Sequence, residues 1–137
     1  TCALPIYLGI NDMANISNYI SYMSDIASTL KSKNCKLFYM SVNPINSVMI
    51  TKAGKGARTE AQVREFNSKI RSGLSLNYKY IDTYSVLMKK GYGTNSSYAG
   101  TDAASDDGLH YTTKTFKRIY YYCITYLNTG SIDASIY

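Results

Sequence analysis

Two amphipathic helical stripes, separated by a short and almost continuous apolar run, leave this chain few ways to fold. Ile16, Tyr19, Ile20, Met23, Ile26, Ala27 and Leu30 recur at steps of three and four residues, which builds one apolar stripe on a helix from about Asn15 to Ser32. Lys36 to Val42 then reads Lys-Leu-Phe-Tyr-Met-Ser-Val, the pattern of a strand buried in a parallel sheet. Thr59-x-x-Gln62 matches a capping box, after which Val63, Phe66, Ile70 and Leu74 mark the buried side of a second helix, with Gly73 near its end.

The same alternation continues on either side. Tyr7-Leu8-Gly9 reads as the end of an earlier strand followed by a polar turn at Asn11-Asp12. Tyr78 to Asp82 reads as a third strand, with a brief helical turn through Val86, Leu87 and Met88. Phe116, Ile119, Tyr120, Cys123, Ile124 and Leu127 trace the apolar face of a last helix. The segment 43–58, with Gly54, Gly56 and several lysines, reads as a long mobile loop; Gly91 to Ser105 reads as a second loop, and residues 128–137 as a frayed tail. Strand, helix, strand, helix, strand, helix implies right-handed crossovers and a parallel sheet with helices on its faces. Ligands of such sheets sit outside the carboxyl ends of the strands.

The chain's 137 residues suffice for one domain with a core. The charge of +6 is spread over scattered sites such as Lys31, Lys33 and Lys36, or Lys52, Lys55 and Arg58. Nucleic-acid binding calls for clustered basic residues with aromatic platforms, so no nucleic-acid partner is expected. No apolar run approaches the roughly 20 residues of a membrane span. Cys2, Cys35 and Cys123 lack the spacing of a metal site or redox dithiol, and the last two read as small buried hydrophobes.

Thr1-Cys2-Ala3-Leu4-Pro5-Ile6 resembles a translated sequencing-adapter end. Residues 1–6 are therefore read as a scar, with native sequence beginning near Tyr7. The competing reading is a genuine apolar strand, Leu4 to Leu8, in which Pro5 is tolerated only away from the sheet centre.

Chemistry is concentrated in Asp106-Asp107-Gly108-Leu109-His110-Tyr111, which holds the only histidine, with a carboxylate three residues before it. A carboxylate at that spacing can fix the tautomer of an imidazole that takes and gives a proton near neutral pH. A lone histidine in a polar loop is, as a rule, a solvated surface residue. The functional reading gains because the other polar turn, Gly9 to Asp12, also falls at the carboxyl edge of the expected sheet. The acidic stretch Asp102 to Asp107 lacks the alternating pattern of an EF-hand loop, so no metal or other cofactor is expected.

Leu8-Gly9-Ile10-Asn11-Asp12 resembles the G-x-N-D block of the SGNH, or GDSL-type, serine hydrolases, and Asp107-Gly108-Leu109-His110 resembles their D-x-x-H block. The two stand in the family's order, about 95 positions apart by subtracting 12 from 107. Phe66-Asn67 and Tyr80-Ile81-Asp82-Thr83-Tyr84 resemble the intervening helix and strand. The resemblance implies a three-layer α/β/α flavodoxin-like parallel sheet, here truncated at its N-terminus to about three strands. It implies a bacterial-type serine esterase acting on small acyl esters, acylated carbohydrate among them. In it His110 is the general base, Asp107 orients His110 with Asp106 as fallback, Asn11 donates to the oxyanion, and Gly9 lets the backbone turn tightly. Asp12 is expected to anchor its turn through an Asx-type bond.

The departure from the family is as informative. Its G-D-S block and its second oxyanion glycine belong before Leu8, and no serine of this chain lies in a G-D-S context; Ser24-Asp25 reverses the order and Ser41 falls in a strand. The expectation is a C-terminal fragment that is hydrolytically inactive and that is unstable or self-associates through an exposed strand edge. The competing class is a non-catalytic carbohydrate-binding α/β domain that uses tyrosines such as Tyr120-Tyr121-Tyr122 as a platform.

Overall fold

The computed structural model describes residues 2–7, 9–56, 58–73, 78–92 and 107–135. Three strands, β1 (Cys2–Ile6), β2 (Cys35–Met40) and β3 (Tyr78–Ile81), form one parallel sheet in the order β1-β2-β3. Among the described residues, five α-helices accompany it: α1 (Ile16–Ser32), α2 (Ser47–Lys52), α3 (Glu60–Gly73), α4 (Thr83–Lys89) and α5 (Thr113–Thr129). The protein is thus mixed α/β, as the alternation predicts.

Period-two alternation along β2 divides the core. Tyr39 packs with Tyr19 and Met23 of α1 and Val63, Phe66 and Ile70 of α3. Phe38 and Met40 pack with Leu87 of α4 and Ile119, Tyr122 and Cys123 of α5. Both faces of β2 are therefore covered, which is why its sequence is apolar almost without interruption.

The helix ends follow from local chemistry. Thr59 and Gln62 form the expected reciprocal cap, with the Gln62 amide N–H donating to Thr59 Oγ1 at 3.2 Å and the Thr59 N–H donating to Gln62 Oε1 at 2.8 Å. Asp82, read as the last strand residue, instead caps α4 by accepting from the Ser85 N–H at 3.0 Å.

Several expectations need correction. The first strand does not end at Tyr7 to Gly9: β1 spans Cys2–Ile6, and its pairing with β2 stops at Ile6, opposite Tyr39. Pro5 is tolerated there because β1 lies at an edge of the described sheet. The segment 43–58 is not all loop, since Asn46 caps α2 by accepting from the Met49 N–H at 3.0 Å. On α5, Phe116 is 45% exposed and Tyr120 61% exposed, whereas Tyr122 is buried, so the apolar face is rotated from the one read off the sequence. That helix runs into the supposed tail and stops at Gly130, whose left-handed φ of 79° forms its C-cap. Cys35 is buried but disulfide-bonded, while Cys123 is a free buried thiol. Leu74, Asp106, most of the acidic stretch from Asp102 and most of the Gly91 to Ser105 segment lie outside the described residues. Among the described residues, no helix is long and apolar enough to cross a membrane.

Candidate functional site

Three segments meet beyond the carboxyl ends of β1 and β2: residues 9–12, residues 42–46, and the 107–111 turn that leads into α5. Gly9 opens the first with φ of +122°, and a Cβ there would stand 2.6 Å from Phe66 Cε1 and 3.1 Å from the Tyr39 hydroxyl. Glycine is thus required twice over, by backbone sign and by the α3 ring behind it. The turn closes through the Asp12 N–H donating to the Gly9 carbonyl at 2.9 Å. Asp12's side chain makes no capping bond to the following 3₁₀ turn, Met13–Asn15, so the expected Asx-type anchor is replaced by this backbone bond.

The 107–111 turn is organised by one carboxylate. Asp107 Oδ1 accepts from the Leu109 and His110 backbone N–H groups, each at 2.9 Å, and Oδ2 lies 2.6 Å from His110 Nδ1. Because a carboxylate only accepts, this contact puts a proton on Nδ1 and leaves Nε2 as the basic nitrogen of the neutral ring. Asp107 is 19% exposed and His110 67% exposed, so the orienting group is sheltered and the imidazole is presented outward. Gly108, φ +72°, docks this turn on α2: its carbonyl accepts from the Asn46 N–H at 2.9 Å, and a Cβ would stand 2.5 Å from the Asn46 carbonyl oxygen. Tyr111 is buried behind it and donates its hydroxyl to the Pro44 carbonyl. That burial holds its phenol well above the usual range.

The residues after β2 complete the wall. Asn67 on α3 binds Val42 as a neighbouring strand would, accepting from its N–H and donating to its carbonyl, both at 2.8 Å. Glu60 accepts from the Ile45 N–H at 3.1 Å. Asn43 donates to the Tyr7 hydroxyl at 2.8 Å and accepts from Thr83 Oγ1 at 2.7 Å; Thr83 Oγ1 lies 3.0 Å from Ser41 Oγ, which accepts from the Tyr84 N–H at 2.8 Å. Burial of the Tyr7 hydroxyl raises its pKa to about 12, partly offset by the bond from Asn43.

These segments enclose a cavity of about 400 Å³ whose lining includes Gly9, Asn11, Asn43, His110 and Phe116. Three of the four residues singled out from sequence, Gly9, Asn11 and His110, therefore face one space, while Asp107 does not line it and is the partner of His110. Asn11 is fixed by a residue the sequence did not single out. Arg58 Nη2 donates to Asn11 Oδ1 at 3.1 Å; guanidinium only donates, so this bond uses the amide oxygen, and among the described residues the Asn11 amide N–H₂ is uncommitted. Tyr7 and Asn43 were invisible in sequence: their partners are remote in the chain, and only the Asn-Pro break at the end of β2 hinted at Asn43. Among the described residues, no serine, threonine or cysteine lines the cavity, and no His/Cys/Asp/Glu cluster is placed to hold a metal ion. No family model matches the sequence, and no curated protein matches it.

Proposed function

We propose that this chain is the C-terminal part of an SGNH-type serine esterase that hydrolyses small acyl esters, acetylated carbohydrate among them. The reading places the sheet in a truncated three-layer α/β/α flavodoxin-like fold. The observation that carries it is the convergence of Asn11 and an Asp107-oriented His110 on one cavity. In this reading a serine from a preceding segment attacks the ester carbonyl while His110 Nε2 takes its proton. Asp107 holds the resulting imidazolium, the Asn11 amide donates to the oxyanion, and His110 returns the proton to the leaving alcohol. Water then repeats the sequence on the acyl-enzyme. The chain by itself is inactive, because loss of a triad member costs on the order of a thousand-fold or more.

The test is made in a protein that carries the preceding G-D-S segment. His110→Ala abolishes ester cleavage there, and Asn11→Ala lowers turnover by roughly a hundred-fold; full activity in the His110 variant ends the assignment. The second reading, a carbohydrate-binding domain, draws on the exposed Tyr120 and Tyr121 rings. Those rings meet edge to face, with planes 68° apart, and so form no continuous flat platform for a sugar. An intact upstream start codon without G-D-S would favour that reading.

The edge position of β1 also leads us to propose that the isolated chain self-associates through it. Sedimentation should show a mass that grows with concentration; a sharp, concentration-independent melt of a monomer counts against it.

A further inference from the structure

A second cavity, of about 430 Å³, adjoins the first, and Asn11 lines both. Its floor is apolar, from Met13, Ile16 and Phe66, and its rim is cationic, from Lys55 and Arg58. A further rim pair, Glu65 and Lys69, neutralises itself: the two are 2.6 Å apart, and the Lys69 ammonium holds the Glu65 carboxyl below its usual range. Among the described residues, Lys55 and Arg58 are in no ion pair. Among the described residues, the cavity therefore carries an uncompensated positive charge beside an apolar surface.

Arg58 is anchored without being used up. Nη1 donates to the Lys55 carbonyl at 3.0 Å and Nη2 donates to Asn11 Oδ1 at 3.1 Å. A guanidinium has five N–H donors in a planar fork, so about three remain after these two bonds. A carboxylate can take a pair of them while the Asn11 bond persists. The first bond ties Arg58 to the loop that also bears Lys55, so the two cations are held as a unit.

We propose that this cavity binds a carboxylate on a carbon frame, held by Arg58 and Lys55 with its apolar part on Met13, Ile16 and Phe66. Resting on the esterase reading, the substrate is an acyl ester one half of which is acidic. Arg58 is then a positioning residue as well, since the group that reads the acid also sets the Asn11 amide. Screening by salt weakens the attraction, because Lys55 is exposed and Arg58 only half-buried.

The test titrates the full chain with glucuronate and with glucose, which share a ring and differ in charge, following amide and side-chain resonances by NMR. Glucuronate should bind at least tenfold more tightly, shift the Arg58 and Asn11 side-chain signals, and lose its advantage in the Lys55→Gln/Arg58→Gln double variant and in high salt. Absence of a preference for glucuronate, whether both sugars bind or neither does, overturns the proposal, as does a preference that survives the double variant. The two readings fail separately. In the serine-bearing protein, hydrolysis that needs His110 but ignores substrate charge overturns the cationic cavity alone. Selective glucuronate binding by this chain upholds the cavity even where no ester is cleaved.

Discussion

Gly108 separates His110 from its carboxylate in sequence and fastens both to α2 in space. Alanine at this position would force a left-handed φ of +72° on a residue with a Cβ, and set that Cβ 2.5 Å from the Asn46 carbonyl oxygen and 2.7 Å from Met49 Cβ. Backbone strain of this kind costs on the order of 1–3 kcal/mol, and the clash with backbone adds to it. Gly108→Ala should therefore cost at least about 2 kcal/mol of stability, read as a lowered urea midpoint; a variant within about 0.5 kcal/mol of the parent would show that the turn is not docked as described. The requirement was half legible. An Asp-Gly-x-His string suggests a tight turn, yet nothing in it names Asn46 as the surface that excludes a side chain. Gly9 was legible as a backbone position, while the Phe66 ring that fills the space behind it was not.

Among the elements, α3 does most to shape the site. It buries Val63, Phe66 and Ile70, and it carries Asn67, whose amide completes the hydrogen bonding of Val42 where β2 has run out of strand partners. Asn67→Leu leaves a buried N–H and a buried carbonyl unmet, at about 1–3 kcal/mol for each. A loss of about 2–6 kcal/mol in chemical denaturation is expected, with unchanged helix content by circular dichroism; a neutral effect would mean that water replaces the amide. The α1 stripe and the α3 cap could be read from sequence because both are local patterns, three or four residues in span. Short α2 could not, since a six-residue helix shows too little periodicity against a background of lysine and glycine. The rotation of α5 escaped for a different reason: a Tyr-Tyr-Tyr run is apolar all round, so only packing decides that Tyr122 enters the core and Tyr120 does not.

At the scale of the whole molecule, fifteen tyrosines and no tryptophan set the response to alkali. Burial raises the phenols of Tyr7 and Tyr84 to about 12, Tyr84 also through its Glu60 partner, and lifts those of Tyr39, Tyr80 and Tyr111 as well. In the unfolded chain these groups ionise near 10. Between pH 10 and 12 the unfolded chain has thus released protons that the folded one retains, so stability is intact below 10 and falls as pH rises through that window. Absorbance at 295 nm should resolve an early class of tyrosines and a late class that ionises together with the loss of circular dichroism; a single class near 10 with the fold intact would refute the buried assignment. The polar thread from Tyr84 to Tyr7 has a consequence of its own, because it can run in only one sense. The Tyr84 N–H must give to Ser41, Thr83 must give its single proton to Asn43, Ser41 must therefore give to Thr83, and the Asn43 amide must give to Tyr7. Every hydroxyl along the way is committed except the last. Among the described residues, the phenolic proton of Tyr7 is left over at the wall of the cavity, because the oxygen that carries it accepts from the Asn43 amide.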